Sequence, residues 1–237
     1  MKLIVAGATG FVGQEVIRQS LRNPAITSIV ALARRPVSPP TGVPEEAASK
    51  LKSVVVKDYD EYPDEVRKDL AGADACIWTV AITPAKSKAF PFEEVTRVCQ
   101  TSTLAGLNAM HDAGIAQPFR FLYMSGTGAP RSPSDKQPFY MPEYSRMRGE
   151  TENRVLSFAA EHKFEASVAK PGLIKRSLAS TILAAGLKLI MVPSVSLEEV
   201  SAAMIHQVIN GFEKEPLEND DLVRIGREAL KQGGGKA

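Results

Sequence analysis

The chain has 237 residues, 44% hydrophobic and 24% charged, which excludes a disordered polar chain and leaves enough apolar material for one α/β domain. The 29 Lys and Arg against 27 Asp and Glu give a net charge of +2, so nothing demands nucleic acid or an anionic membrane as a partner. Two cysteines, Cys76 and Cys99, exclude a disulfide scaffold, and His111, His162 and His206 lack metal-ligand spacing.

Short β-branched runs alternate with helical patterns along the first two thirds of the chain. Residues 3–6 read as a buried strand, and the apolar spacing over 11–21 predicts a helix. A second strand follows at 28–33. Pro36, Pro39, Pro40 and Pro44 forbid a helix over 36–44 and allow at most a short one after Pro44. Residues 54–56 read as a third strand, 61–70 as a helix and 73–80 as a fourth strand. A long helix over 92–113 stops at Gly114. Residues 120–124 form a fifth strand, 126–142 a loop, 144–162 a helix and 164–169 a sixth strand. Beyond Lys170 the alternation fails. Residues 177–190 and 197–212 look helical around a break at Pro193, and the glycine-rich tail from Gly233 reads as frayed.

This alternation predicts a doubly wound α/β fold, a parallel sheet with helices on both faces. One domain over 1–237 is expected, with about 173–237 forming a small substrate-side cap. A sequence that opens directly into a strand is expected to carry no targeting segment. The apolar run 178–192 carries Lys188 and is too short to span a bilayer. A cytoplasmic protein without an integral membrane segment is therefore expected.

The first strand runs into Gly7-Ala8-Thr9-Gly10-Phe11-Val12-Gly13, and a helix follows at once. In that context Gly7 permits the tight turn, Gly10 admits a pyrophosphate to the backbone, and Gly13 lets the helix pack on the strand. The helix start then offers free N–H groups and a positive dipole end. The second strand ends in Ala33-Arg34-Arg35, without the carboxylate that would hold an adenosine 2′-OH. A guanidinium suits a 2′-phosphate, so NADP(H) is preferred over NAD(H), with Arg34 on the phosphate and Arg35 against adenine. Asp58, after the third strand, is a candidate acceptor for the adenine amino group.

The GxxGxxG spacing resembles that of the extended and atypical short-chain dehydrogenase/reductases. Residues 1–175 are similar to the Tat-interacting-protein-like and NmrA-like oxidoreductases, whose compact fungal relatives include natural-product enzymes. The resemblance implies that Thr79, Val80 and Ala81 lie beside the nicotinamide ribose. It matches Ser125, after the fifth strand, to the serine that polarises the substrate oxygen. It matches Lys170-Pro171-Gly172 to the family's Arg-Pro-Gly at the nicotinamide carboxamide, and it implies a possible homodimer.

The family's Tyr-x-x-x-Lys becomes Tyr144-Ser145-Arg146-Met147-Arg148 here. A phenol is a poor base at neutral pH, and a cation four residues along a helix is expected to lower its pKa. Arg148 keeps that charge but relays protons poorly. Tyr140 is an alternative acid. The loops 83–92, with Lys86, Lys88, Phe90 and Phe92, and 129–142, with Phe139, Tyr140 and Met141, are candidate walls for a small aromatic or polyketide-like substrate. The expected activity is NADP(H)-dependent oxidoreduction of a carbonyl or alcohol, with Tyr144 as acid/base, Ser125 as oxygen anchor and Arg148 as tuning charge. A non-redox isomerase, epimerase, dehydratase or cyclase, or a nucleotide-sensing binding protein, stays open as an alternative.

Overall fold

The computed structural model describes residues 1–135, 141–176 and 193–234. Its main sheet is built from β1 (Lys2–Ala6), β2 (Ser28–Ala33), β3 (Leu51–Val55), β4 (Ala75–Trp78), β5 (Arg120–Met124), β6 (Glu165–Lys170) and β9 (Leu217–Glu218). Between β6 and β9 the short β7 (Leu173–Lys175) and β8 (Ser194–Ser196) pair with each other. The seven strands run parallel in the order β3-β2-β1-β4-β5-β6-β9. The expected doubly wound α/β fold is what the chain adopts.

Successive strand residues face opposite sides of the sheet, so each strand feeds two cores. Leu3 and Val5 pack with α1 (Phe11–Arg22) and α8 (Leu197–Asn210). Ile4 and Ala6 pack with α3 (Asp64–Leu70), α6 (Ser102–Asp112) and α7 (Pro142–Glu161). The proline-rich crossover after β2 carries only α2 (Glu45–Ala48), as its composition predicts. The long helix expected over 92–113 is instead α5 (Phe92–Thr96), a π turn over Arg97–Thr101, and then α6. Gly114, with φ +80, terminates it.

The expected cap over 173–237 needs correction in its described part. α8 begins with a reciprocal capping box between Ser196 and Glu199 and buries Val200, Ala203, Met204 and Val208 in the main core. β9 adds the seventh strand, and α9 (Asn219–Gly234) buries Leu222 and Ile225 against the same layer. Residues 197–234 therefore complete the α/β sandwich. The helix expected over 177–190 lies outside the described residues.

Candidate functional site

Parallel strands bring all their carboxyl ends to one edge, and the strand order reverses between β1 and β4, where such folds open a crevice. Gly7 sits at that point with φ +81, and a β-carbon on it would stand 2.5 Å from Thr79 Oγ1. Thr79 is fixed there because its hydroxyl donates to the Ala6 carbonyl at 2.7 Å. A β-carbon on Gly13 would meet the Gly7 carbonyl oxygen at 2.3 Å, so only glycine lets α1 lie this close to the turn. α1 has Gly10 as its N-cap and no side-chain cap, which leaves the first-turn amides of Phe11, Val12 and Gly13 for an anion. Thr9 and Phe11 line a cavity of about 410 Å³ beside this turn, together with Arg18, Pro36, Ser38 and Arg176. Arg176 lies over the Phe11 ring at 5.6 Å.

Arg34 and Arg35 leave the end of β2 exposed to solvent. Asp58 follows β3, but both its oxygens accept from Arg97 Nη1, at 3.0 and 3.2 Å, and Oδ1 also accepts from the Asp60 amide. These bonds, the Asp60 amide foremost, hold the Asp58 carboxyl below its usual range. The adjacent Tyr59 was not anticipated. Its hydroxyl donates to the Leu32 carbonyl at 2.9 Å and accepts from the Gly7 amide at 3.2 Å, so it braces the glycine turn against β2. Burial pushes this hydroxyl up to about 12. An aromatic with a polar tip at a strand end was the available signal.

On the other side of the crevice, α7 starts with Pro142 in its first turn, which presets the helical φ. Tyr144, Arg148 and Glu152 recur every four residues on one face, and all three are buried. The Tyr144 hydroxyl donates to the Ile82 carbonyl at 2.9 Å, just past the end of β4 and next to Ala81. Val80 is buried and Ala81 half-buried in the same stretch. The π turn places Cys99 Sγ 3.3 Å from the Ile82 amide, so both polar groups of Ile82 are fixed from the helical side.

Arg148 Nη2 donates to the Met124 carbonyl at 2.6 Å, and its guanidinium lies 4.8 Å from the centre of the Tyr123 ring. This anchors α7 to the end of β5, one residue before Ser125. Ser125 Oγ is buried without a hydrogen-bond partner, and so is Arg148 Nη1. Such orphans are costly in a closed interior and are the groups a bound ligand would satisfy. The expected direction of the Tyr144 pKa is corrected. Burial raises it, and the opposing pull of Arg148 does not win.

The end of β6 also differs from expectation. Lys170 Nζ donates to the Ala129 carbonyl at 2.8 Å and lies 3.0 Å from Glu152 Oε2, which Arg131 Nε also reaches at 2.6 Å. The lysine is thus held in a buried ion network. The Pro171 carbonyl accepts from the Thr127 amide at 3.0 Å, and the Gly172 amide donates to Asn219 Oδ1 at 3.0 Å. Lys170→Met should remove the Ala129 and Glu152 contacts together and lower stability by about 1–3 kcal/mol. Urea unfolding at neutral pH measures this.

The two expected substrate walls meet. Ser87, Phe90 and Phe92 face Met141, Pro142 and Tyr144 across a cavity of about 380 Å³. Phe90 and Phe92 are 46% and 45% exposed. Phe139 and Tyr140 lie outside the described residues.

A glycine-lined crevice at the switch point, with the uncapped first-turn amides of α1 beside it, defines a Rossmann-type fold of the kind that binds dinucleotides. A family model described as NAD(P)H-binding matches residues 7–207, and the chain belongs to that family. Its fold is shared with solved reductase, epimerase and dehydratase structures. Over 79 residues the chain is 34% identical to the leucinostatins biosynthesis cluster protein T of Purpureocillium lilacinum, a match covering 33% of this chain and 27% of that one. Over 168 residues it is 26% identical to the protein fmp52, mitochondrial, of Aspergillus niger, covering 71% and 64%. The chain thus spans less than two thirds of either relative.

Among solved structures, vestitone reductase from alfalfa superposes with a TM-score of 0.66 at 21% identity, covering 92% of this chain and 76% of that one. The dTDP-glucose 4,6-dehydratase DesIV from Streptomyces venezuelae, solved with NAD, gives 0.68 at 17%, covering 98% and 81%. These structures share the fold. No helix among the described residues is long and apolar enough to cross a membrane.

Proposed function

We propose that this chain is an NADP(H)-dependent oxidoreductase that reduces a carbonyl on a small, aromatic-bearing molecule. The observation that carries the reading is the buried, unpartnered Ser125 hydroxyl at the same strand edge as the protonated Tyr144, across from the uncapped start of α1. The residues present fit a nicotinamide dinucleotide. The first-turn amides of α1 would hold its diphosphate, and Arg34 its 2′-phosphate. When bound, that group supplies or accepts the hydride.

The rest of the chemistry belongs to the chain. Ser125 donates a hydrogen bond to the substrate oxygen and stabilises charge developing there. Tyr144 gives that oxygen its proton, after releasing the Ile82 carbonyl. Arg148 fixes α7 on β5 and offers Nη1 to the same region. Phe90, Phe92 and Met141 cover an apolar ring system and exclude water. The reductase fold neighbour and the biosynthetic-cluster relative support the same reading.

The test is a panel of aryl aldehydes and ketones with NADPH, following loss of the reduced-nicotinamide absorbance. Turnover by the wild type that collapses in Ser125→Ala supports the proposal. The burial of Arg148, with one nitrogen bound to Met124, favours a second reading as a non-redox catalyst, because an arginine held this way does not pass protons. Product that forms with no net loss of NADPH would select that reading. Arg34→Ala is expected to weaken NADPH by about 10–100-fold, the worth of one charge-assisted hydrogen-bonded pair, and to leave NADH unchanged. Calorimetric titration with both nucleotides reads this directly.

A further inference from the structure

We infer that Arg97 sets the choice between NADP(H) and NAD(H), by neutralising carboxylates beside the 2′-phosphate end of the nucleotide site. The inference rests on the reading above that NADP(H) is the cofactor. It starts from strand geometry. The Val56 amide donates to the Ala33 carbonyl at 2.9 Å, so β2 and β3 end side by side, and Arg34 and Asp58 emerge from neighbouring strand ends.

Three carboxylates collect there, Asp58, Asp60 and Glu94, and one guanidinium binds all of them. Arg97 meets Glu94 through two nitrogens, Nε at 2.8 Å and Nη2 at 2.9 Å. Its Nη1 reaches Asp58 at 3.0 Å and Asp60 at 2.6 Å. One positive charge against three negative ones leaves two negative charges in the cluster. Arg34 lies within the electrostatic reach of both Asp58 and Glu94.

A 2′-phosphate is close to a dianion at neutral pH, and the nearby charges decide whether it is welcome. With Arg97 in place, part of the cluster's charge is met locally and Arg34 is left to meet the phosphate. With Arg97 removed, the three carboxylates lose the cation that joins them, and Asp58 and Asp60 keep only the uncharged Asp60 amide and Ser102 hydroxyl. They draw Arg34 onto themselves and repel the phosphate. The adenosine 2′-OH of NAD(H) carries no charge and feels little of this. Arg97 itself is saturated by carboxylates and does not need to touch the nucleotide. It acts as a positioning residue through Arg34.

The test compares NADPH and NADH affinities by calorimetry in the wild type, Arg97→Gln and Glu94→Gln, with a melting curve on each protein. The preference for NADPH should fall about tenfold or more in Arg97→Gln and rise in Glu94→Gln, an opposite pair of shifts expected from charge alone. A general loss of structure weakens both nucleotides and leaves their ratio in place. A wild type that prefers NADPH, with the ratio unmoved in either variant, overturns the role of Arg97 and leaves the cofactor assignment standing. If Arg97→Gln does not fold, Glu94→Gln decides alone. A wild type with no preference for NADPH removes the cofactor assignment and this inference with it.

Discussion

Gly13→Val should weaken nucleotide binding sharply. A β-carbon at this position stands 2.3 Å from the Gly7 carbonyl oxygen and 3.1 Å from Ala8 Cα. Both neighbours are backbone, so no flexible side chain can yield, and α1 has to move away from β1. The first-turn amides then lose their common aim at the diphosphate. The loss of two charge-assisted hydrogen bonds, at about 1.5 kcal/mol each, weakens binding by about 100-fold. Overpacking costs a further 1–3 kcal/mol or so of stability. Calorimetry with NADPH measures the first effect and a melting curve the second. Wild-type affinity in this variant would mean that the nucleotide does not use this turn.

Tyr144→Phe is expected to cut carbonyl reduction by about 10²–10⁴-fold, the range for loss of a positioned acid, while NADPH affinity stays at the wild-type level. The lost bond to Ile82 should cost roughly 1 kcal/mol of stability, too little to explain such a fall in rate. The pH dependence carries the sign. Burial raises Tyr144 above the ordinary phenol value of 10, so it is protonated throughout the neutral range. Reduction needs that protonated form. Its rate should stay level through neutral pH and drop only as the solution passes the raised pKa. Oxidation of the corresponding alcohol needs the phenolate and should climb over the same alkaline span. A reduction rate already falling on the acid side of neutrality would exclude Tyr144 as the proton donor.

The legible parts of this protein are those written in contiguous residues. Short apolar runs marked the first six strands, and three glycines with fixed spacing marked the turn before α1. Gly114 marked the end of the long helix, and the prolines after β2 marked a crossover with almost no helix. β7, β8 and β9 are two or three residues long, too short for any period to appear, so the return of the chain to the sheet at Leu217 was not legible. Without that strand α8 and α9 had no sheet to cover, and their region read as a cap.

The site shows the same division. Spacing along one helix placed Tyr144 and Arg148 on one face, but the direction of the tyrosine pKa depends on burial, which other segments impose. Lys170 stands at the expected strand end, yet a strand side chain points to one face or the other, and this one meets Glu152 and Ala129. The Glu94–Arg97 pair is visible as an i, i+3 contact in the sequence. Its junction with Asp58 and Asp60 is made only by the fold.

One measurement tests the account most directly, a calorimetric titration of the purified wild-type chain with NADPH and, separately, with NADH. The account predicts one NADPH per chain, bound more tightly than NADH, with the affinity about 100-fold lower in Gly13→Val. Binding of neither nucleotide, or NADPH binding untouched by that substitution, would contradict it.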